Sequence, residues 1–154
     1  MKRKRVAFWL IGALLTVWLV ITSALGILVA EWALHPGRRR LGPAFESSAR
    51  TIAAANHALL ASVSIPARDG VSLRAWSFRP ILSSAGNSDA VILLHGHTDN
   101  RSGMLAVADL LLRNGYAVLL PDARAYGESG GDLETYGVME ANDISRWFNW
   151  VRQT

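Results

Sequence analysis

The sequence predicts an α/β domain preceded by one membrane-spanning helix, and three observations carry this prediction. An uncharged stretch, residues 6–30, lies near the start of the chain. Two short apolar runs, 90–94 and 116–120, flank a segment with helical spacing. A hairpin pattern around an Asp-Gly pair precedes both runs. This order of elements is typical of a sheet that begins antiparallel and continues parallel.

The composition supports a folded protein and restricts its class. Of the 154 residues, 51% are hydrophobic and 18% are charged, which excludes a disordered or collagen-like chain. The first 40 residues hold seven basic residues and one acidic residue, and they account for the net charge of +4. Residues 41–154 are slightly acidic, so no nucleic-acid partner is expected. The chain has no cysteine, which excludes disulfides, thiolate zinc sites and a cysteine nucleophile.

Residues 6–30 are predicted to form a transmembrane helix. A helix of this length extends roughly 37 Å, enough to cross a hydrocarbon core of about 30 Å. Trp9 and Trp32 lie near its ends, where interfacial indoles are favoured. The basic flank 1–5 also fits a signal peptide cleaved after Ala30, but the apolar stretch exceeds the usual length of about 7 to 15 residues. We therefore favour an uncleaved anchor.

The basic residues that flank the span predict its orientation. Four of them precede it, Lys2 to Arg5, and three follow it, Arg38 to Arg40. Because the flank with more Lys and Arg stays in the cytoplasm, the count favours a cytoplasmic N-terminus. The chain is then a single-pass protein of the cytoplasmic membrane, with its soluble part on the extracytoplasmic side and the lipid bilayer as a partner.

A linker and a hairpin are predicted after the span. Residues 31–60 read as a juxtamembrane linker that ends in an Ala-rich helix over 45–60. From residue 61 onward, two runs of alternating apolar and polar residues surround the D-G pair, which predicts a β-hairpin. This hairpin opens a domain that covers residues 61–154. A Gly/Ser/Asn loop over residues 83–89 follows it.

A βαβ unit is predicted over residues 90–120. The two apolar runs lack alternation, which fits strands buried on both faces. Between them apolar residues recur at helical spacing, with Ser102 as the candidate N-cap and Gly115 just past the helix. Strands joined in this way are expected to be parallel. A polar loop follows, and then Val138, Ala141, Ile144, Phe148 and Val151 recur at helical spacing, which predicts a final helix that contains Trp147 and Trp150.

Two polar loops follow the apolar strands, where open α/β sheets place their ligands. The first reads H-G-H-T-D-N-R over residues 95–101, and the second reads D-A-R-A-Y-G-E-S-G over residues 122–130. Together with the hairpin, they resemble the N-terminal half of the α/β-hydrolase fold family. The likeness is strongest to an esterase-like and aminopeptidase-like branch with H-G-x-x-x-N-R and D-x-R-G-x-G-x-S-G loops. Ala125 stands where that branch usually has glycine, which disfavours a turn with positive φ there.

The resemblance implies a site built partly from backbone groups. It assigns half of an oxyanion hole to the backbone N–H of His97, with Thr98 as the second candidate. Such a donor stabilises the alkoxide that develops during acyl transfer and requires little of its side chain. Asp122 and Arg124 are expected to pair and brace the second loop, and no cofactor is expected. The residues expected to shape the loops are His95, Gly96, Asp122, Arg124, Gly127 and Ser129.

Two other roles for these residues are disfavoured. His95 and His97 could bind a metal beside Asp99, but no further ligand has a recognisable spacing, so no metal is expected. Ser129 lies in a formal G-x-S-x-G match over residues 127–131. A nucleophile elbow needs a strand directly before it and a helix directly after it, and neither is predicted here. Ser129 is therefore expected not to be a nucleophile.

The resemblance implies a membrane-anchored serine hydrolase of small ester or amide substrates, present as an N-terminal portion. In the family the nucleophile, the catalytic acid and the catalytic histidine come later in the chain, so no residue here is assigned to the triad. Val91 to Leu94 would then form an unpaired edge. We expect a truncated or split chain, or one completed by a polypeptide that supplies the C-terminal half. The alternative is a non-catalytic single-pass membrane protein that uses the half-fold for binding or assembly.

Overall fold

The computed structural model describes residues 2–81 and 89–154 of the chain. The loop predicted for residues 83–89 therefore lies outside the described residues, apart from its last position. The chain divides into two compact units, Met1–His35 and Pro36–Thr154. The first unit is a single helix, and the second contains the sheet.

Helix α1, Lys2–Leu34, forms the first unit and extends past the predicted span at both ends. Within it, Arg5–Leu34 contains an 18-residue window with a mean hydropathy of 2.4 and is, by length and composition, a candidate membrane span. The hydroxyls of Thr16 and Thr22 donate to backbone carbonyls one turn earlier at 3.0 Å. These polar groups are thus satisfied inside the helix, as a hydrocarbon environment requires.

The second unit is a four-stranded mixed sheet with helices packed on both faces. The strand order is β1-β2-β4-β3. Strand β2 pairs antiparallel with β1 and β4, whereas β3 and β4 are parallel, which confirms the predicted hairpin and βαβ unit. Its described elements are α2 (Pro43–Ala55), β1 (Ala58–Pro66), β2 (Ser72–Pro80), β3 (Ala90–Ile92), α3 (Leu105–Arg113), β4 (Ala117–Pro121) and α4 (Glu140–Gln153).

The boundary between α2 and β1 differs from the prediction. Helix α2 ends at Ala55 instead of residue 60, and β1 already begins at Ala58. The backbone changes direction at His57, whose φ of +48° cannot continue a right-handed helix. The apolar residues 58–60 continued the Ala-rich pattern and concealed this end in the sequence.

Helix α2 packs into the core, whereas the sequence placed it in a linker. Ala49 and Ala53 are buried against the sheet and α3, because their small side chains let the helix approach closely. The compact unit accordingly begins at Pro36. The buried residues of this cluster are Ala49, Ala53, Trp76, Phe78, Leu105, Ala108, Leu112, Val118 and Leu120.

Helix α4 covers the opposite face of the sheet, and its buried side is offset from the apolar positions that predicted the helix. Val138 precedes the helix and is exposed, and Phe148 is 54% exposed. The buried positions are Asp143 and Trp147. A charged residue lies on the buried side because Asp143 pairs with Arg124, whereas Ile144 and Val151 of the apolar pattern are half-buried.

Strand β3 is shorter and more exposed than predicted. It covers Ala90–Ile92, although the apolar run continues to residue 94. Val91 is half-buried, and Leu94 is 52% exposed. Within the described residues β4 is its neighbour, so β3 forms one edge of the sheet. The prediction that this strand is buried on both faces was wrong.

The helical segment after β3 begins from Asn100, not from Ser102. The buried Asn100 Oδ1 accepts hydrogen bonds from the Ser102 backbone N–H at 2.9 Å and from its hydroxyl at 2.6 Å. A 3₁₀ turn, Arg101–Met104, then leads into α3. Arg101 therefore occupies the first position of a helical segment, where a backbone N–H has no intrahelical partner.

Substitutions on α2 test whether this helix belongs to the core. Ala49→Leu inserts methylene groups into a packed interface and should lower the free energy of unfolding by about 1–3 kcal/mol. Ala54→Leu, on the exposed side of the same helix, should change it by less than about 0.5 kcal/mol. Urea unfolding of the full chain in detergent, followed by tryptophan fluorescence, measures both. Equal stability of the two variants would mean that α2 does not pack on the sheet.

Candidate active site

Two loops meet at one edge of the sheet. The first, residues 95–101, follows β3, and the second, residues 122–131, follows β4. Because β3 and β4 are parallel neighbours, the loops leave the sheet side by side. All the site residues predicted from the sequence lie on these two loops.

A buried ion pair joins the loops. Asp122 accepts the backbone N–H of Arg101 on Oδ1 and its guanidinium on Oδ2, both at 2.7 Å. Asp122 Oδ2 also accepts the Glu128 backbone N–H at 2.8 Å, and the Glu128 carboxylate binds the second guanidinium nitrogen of Arg101. The Arg101 guanidinium lies 4.7 Å from the Trp76 ring centroid. Arg101 and Asp122 are each 1% exposed, so water cannot replace either partner in this ion pair.

The expected pairing of Asp122 with Arg124 was wrong. Arg124 instead binds Asp143 of α4 through two nitrogens, at 2.7 and 2.9 Å, and Asp69 of the hairpin turn at 2.9 Å. The hydrogen bonds to Asp143 raise the pKa of Arg124 above its usual range, and the bond from Arg124 lowers the pKa of Asp69. Arg124 thus braces the second loop against α4 and the hairpin turn, and Asp122 braces it against the first loop.

The first loop contains a strained turn. The Asp99 backbone N–H donates to the Gly96 carbonyl at 3.3 Å, which places His97 and Thr98 in the middle of the turn. Thr98 has a φ of +61°, which is an outlier for a β-branched residue. Such conformations persist only where the surrounding structure enforces them, and they cluster at functional sites.

A hydrogen-bonded group of three side chains lies beside this turn. The Tyr126 hydroxyl donates to Glu134 at 2.5 Å and lies 2.9 Å from His97 Nδ1, which is itself 3.0 Å from the Glu134 carboxylate. Burial, together with the bond to Glu134, raises the pKa of Tyr126. Tyr126 therefore remains a neutral donor. Sequence reasoning assigned no role to Tyr126 or Glu134, although an aromatic residue in a glycine-rich polar loop was a usable signal.

His95 connects the two loops through its ring. Its Nε2 accepts the Ala123 backbone N–H at 3.1 Å, and its Nδ1 lies 2.9 Å from the Gly96 carbonyl. Because Nε2 accepts a hydrogen bond, the ring proton is assigned to Nδ1, which donates to the Gly96 carbonyl. Both ring nitrogens are therefore hydrogen-bonded. Among the described residues, no group of three His, Cys, Asp or Glu side chains is arranged to hold a metal ion.

Ser129 is fully buried, and protein groups satisfy its hydroxyl on both sides. Its Oγ donates to the Asp122 carbonyl at 2.8 Å and accepts the Arg74 backbone N–H at 2.9 Å. Gly127, earlier in the same G-x-S-x-G match, has a φ of +48°, and a Cβ there would overlap the Asp122 carboxylate. The described contacts of Ser129 are those of a loop brace. Its assignment as a residue other than the nucleophile stays a prediction.

Ala125 forms a turn that the sequence disfavoured. Its φ is +63°, and its backbone N–H donates to the Gly130 carbonyl at 2.9 Å. The side chain is buried, so the surrounding packing holds alanine in a conformation suited to glycine. The left-handed region costs an L-residue about 1–2 kcal/mol.

A small cavity adjoins the second loop, with a volume of about 160 Å³. Apolar side chains form most of its wall, and charged or polar side chains of the two loops and α4 line the rest. Its principal lining residues are Leu73, Leu94, His95, Asp122, Arg124, Asp143 and Trp147.

Substitution of Ala125 tests the strain in the second loop. Ala125→Gly should leave the free energy of unfolding nearly unchanged, because relief of the left-handed conformation, about 1–2 kcal/mol, offsets the loss of a buried methyl group and the added entropy of the unfolded chain. Ala123→Gly, in the same loop but without a positive φ, should lower stability. Thermal unfolding of both variants measures the difference. Equal destabilisation by Ala125→Gly and Ala123→Gly would contradict the assigned backbone conformation.

Comparisons with known proteins agree with this architecture. The model of the α/β-hydrolase fold family matches residues 89–154. The Pyrococcus furiosus esterase Pf2001 superimposes with a TM-score of 0.61 at 29% identity, over 80% of this chain and 43% of that one. An α/β hydrolase from Vibrio vulnificus superimposes with a TM-score of 0.57 at 17% identity, over 74% and 36% of the chains. The uncharacterized protein YqkD of Bacillus subtilis is 30% identical over 82 residues.

The family match covers β3, β4 and both loops. The chain spans less than half of the solved esterase and 26% of YqkD. The family match begins at residue 89, one position before β3, and therefore includes both loops. The structural matches extend further, over about four fifths of this chain. Together, these findings show that the chain contains part of the α/β-hydrolase fold.

Proposed function

We propose that this chain is the N-terminal part of a membrane-anchored serine hydrolase that acts on ester or amide bonds. The proposal depends on the turn at residues 96–99, which lies at the carboxyl ends of β3 and β4. Its strained Thr98 and the braces from the second loop fix the direction of the peptide groups in this turn. Fixed backbone N–H groups are what acyl transfer needs to stabilise a developing alkoxide. Similarity to a solved esterase supports the same bond class.

The oxyanion hole in this proposal is the backbone N–H of His97, with Thr98 as the second candidate. Attack on a carbonyl carbon moves an electron pair onto the carbonyl oxygen, and the donor binds that oxygen at about 2.7–3.1 Å. Tyr126 and Glu134 hold the His97 ring to one side of the turn. His95 and Asp122 keep the two loops in register.

In this proposal, the nucleophile, the catalytic acid and the catalytic histidine lie outside the described residues. Two features support this placement. The G-x-S-x-G match in the sequence lies over residues 127–131, and its serine is buried and hydrogen-bonded on both sides. The segment after it is a loop, and α4 begins only at Glu140, so Oγ is not presented on a strand-to-helix elbow.

Variants of His97 test the oxyanion hole. They are made in the longest polypeptide that the reading frame containing this chain encodes. His97→Pro removes the backbone N–H and should lower kcat for p-nitrophenyl esters by about 10²–10³-fold. His97→Ala keeps that N–H and should retain kcat within about tenfold. Equal losses of kcat in the two variants would mean that the His97 side chain, and not its backbone N–H, causes the effect. A wild-type protein that neither hydrolyses esters or amides nor reacts with a fluorophosphonate would end the proposal.

The absence of cysteine allows a direct test of the membrane anchor. We expect Ser145→Cys, on the exposed side of α4, to react with a membrane-impermeant maleimide in intact cells. Lys4→Cys, before the span, should react only after the membrane is permeabilised. The opposite pattern would place the sheet in the cytoplasm. Release of the chain into the soluble fraction by high salt would contradict anchoring by α1.

A further inference from the structure

The segment that precedes α2 contacts both loops of the candidate site. The Arg38 guanidinium donates to the carbonyls of Ser129 and Gly131, at 2.5 and 2.6 Å. Both acceptors belong to the second loop, more than 90 residues later in the chain. From the sequence this arginine counted only as a charge that flanks the span. Its contacts give it a second role.

The next residue, Arg39, binds the first loop. Its guanidinium donates to Asp99 Oδ1 at 2.9 Å, and its carbonyl accepts the Asn100 side-chain amide at 3.1 Å. The Arg39 guanidinium also lies 5.5 Å from the Phe45 ring centroid, which restricts its rotation. Asp99 is the residue that closes the turn carrying His97 and Thr98. Arg39 therefore acts at the end of that turn.

Arg40 provides a contrast with its two neighbours. Its side chain is exposed, and it makes no hydrogen bond or ion pair with the described part of the chain. The three arginines carry the same charge, yet two of them bind site loops by specific geometry. Membrane topology depends on the positive charges of the flanking residues, so it does not account for the contacts of Arg38 and Arg39.

We propose that Arg38 and Arg39 are positioning residues of the candidate active site. Together they form an arginine clamp, which ties the segment before α2 to the first loop at Asp99 and to the second loop at Ser129 and Gly131. Arg39 of the clamp holds the first loop at Asp99, the residue after Thr98, and the Arg101–Asp122 ion pair holds the same loop at Arg101. Its effect on catalysis rests on the proposed function, whereas its effect on loop order does not.

The clamp should act on loop order more than on global stability. The Arg39 and Asp99 side chains are 53% and 30% exposed, and ion pairs of this kind contribute little to folding. The same contacts still restrain the first loop at Asp99 and the second loop at Ser129 and Gly131. Their loss should therefore raise local opening with little change in the melting temperature.

Amide hydrogen exchange of the full chain in detergent tests the clamp without reference to activity. Arg39→Gln should raise exchange in peptides over residues 95–104, and Arg38→Gln in peptides over 125–132, each by about tenfold. The double variant should raise both. Arg40→Gln, which removes the same charge from the next position, should leave both loops unchanged. Unchanged exchange in the double variant, or an equal rise with Arg40→Gln, would overturn the proposal.

Kinetics of the longest encoded polypeptide then test the link to catalysis. The double variant should lower kcat about fivefold or more, with KM and melting temperature unchanged. A double variant that carries Arg39→Lys in place of Arg39→Gln should recover part of this loss of kcat. Raised exchange with unchanged kcat would overturn the catalytic role of the clamp. Raised exchange in a protein whose wild type has no hydrolase activity would instead overturn the proposed function and leave the clamp as an ordering device.

Discussion

The buried Asp122 carboxylate is the constraint on which the candidate site depends. It accepts two hydrogen bonds from Arg101 of the first loop and one from Glu128 of the second. A buried charge that loses its partners is strongly destabilising, so the two loops cannot separate without exposing it to water. The strained turn at residues 96–99 and the buried hydroxyl of Ser129 are arranged around this ion pair. Two neighbouring loops thereby behave as one structural element.

Redundant support explains how the site tolerates backbone strain. Thr98 and Ala125 both adopt the left-handed region, which is unfavourable for residues with a Cβ. Each lies in a turn closed by a backbone hydrogen bond and held by side chains from other elements. In the account proposed here, Arg38 and Arg39 add an outer support to the inner ion pair. The strain is then a consequence of fixing peptide groups in one direction, as a backbone donor site requires.

The sequence predicted the order of the elements and the location of both loops, because hydrophobic period and turn residues are local signals. It failed where a distant partner decides the outcome. The burial of Asp143 on α4 was not predicted, since it depends on pairing with Arg124, nineteen residues away. The partner of Asp122 was misassigned for the same reason, since its arginine lies in the other loop. The left-handed turn at Ala125 depends on packing that no local pattern reports.

The most direct test of the central claim is amide hydrogen exchange in Asp122→Asn, which keeps the size of the side chain and removes its charge. If one carboxylate holds both loops, peptides over residues 95–104 and 122–131 should lose protection together, while α2 and β1 remain unchanged. A loss confined to the second loop, with the first loop as protected as in the wild type, would contradict the account.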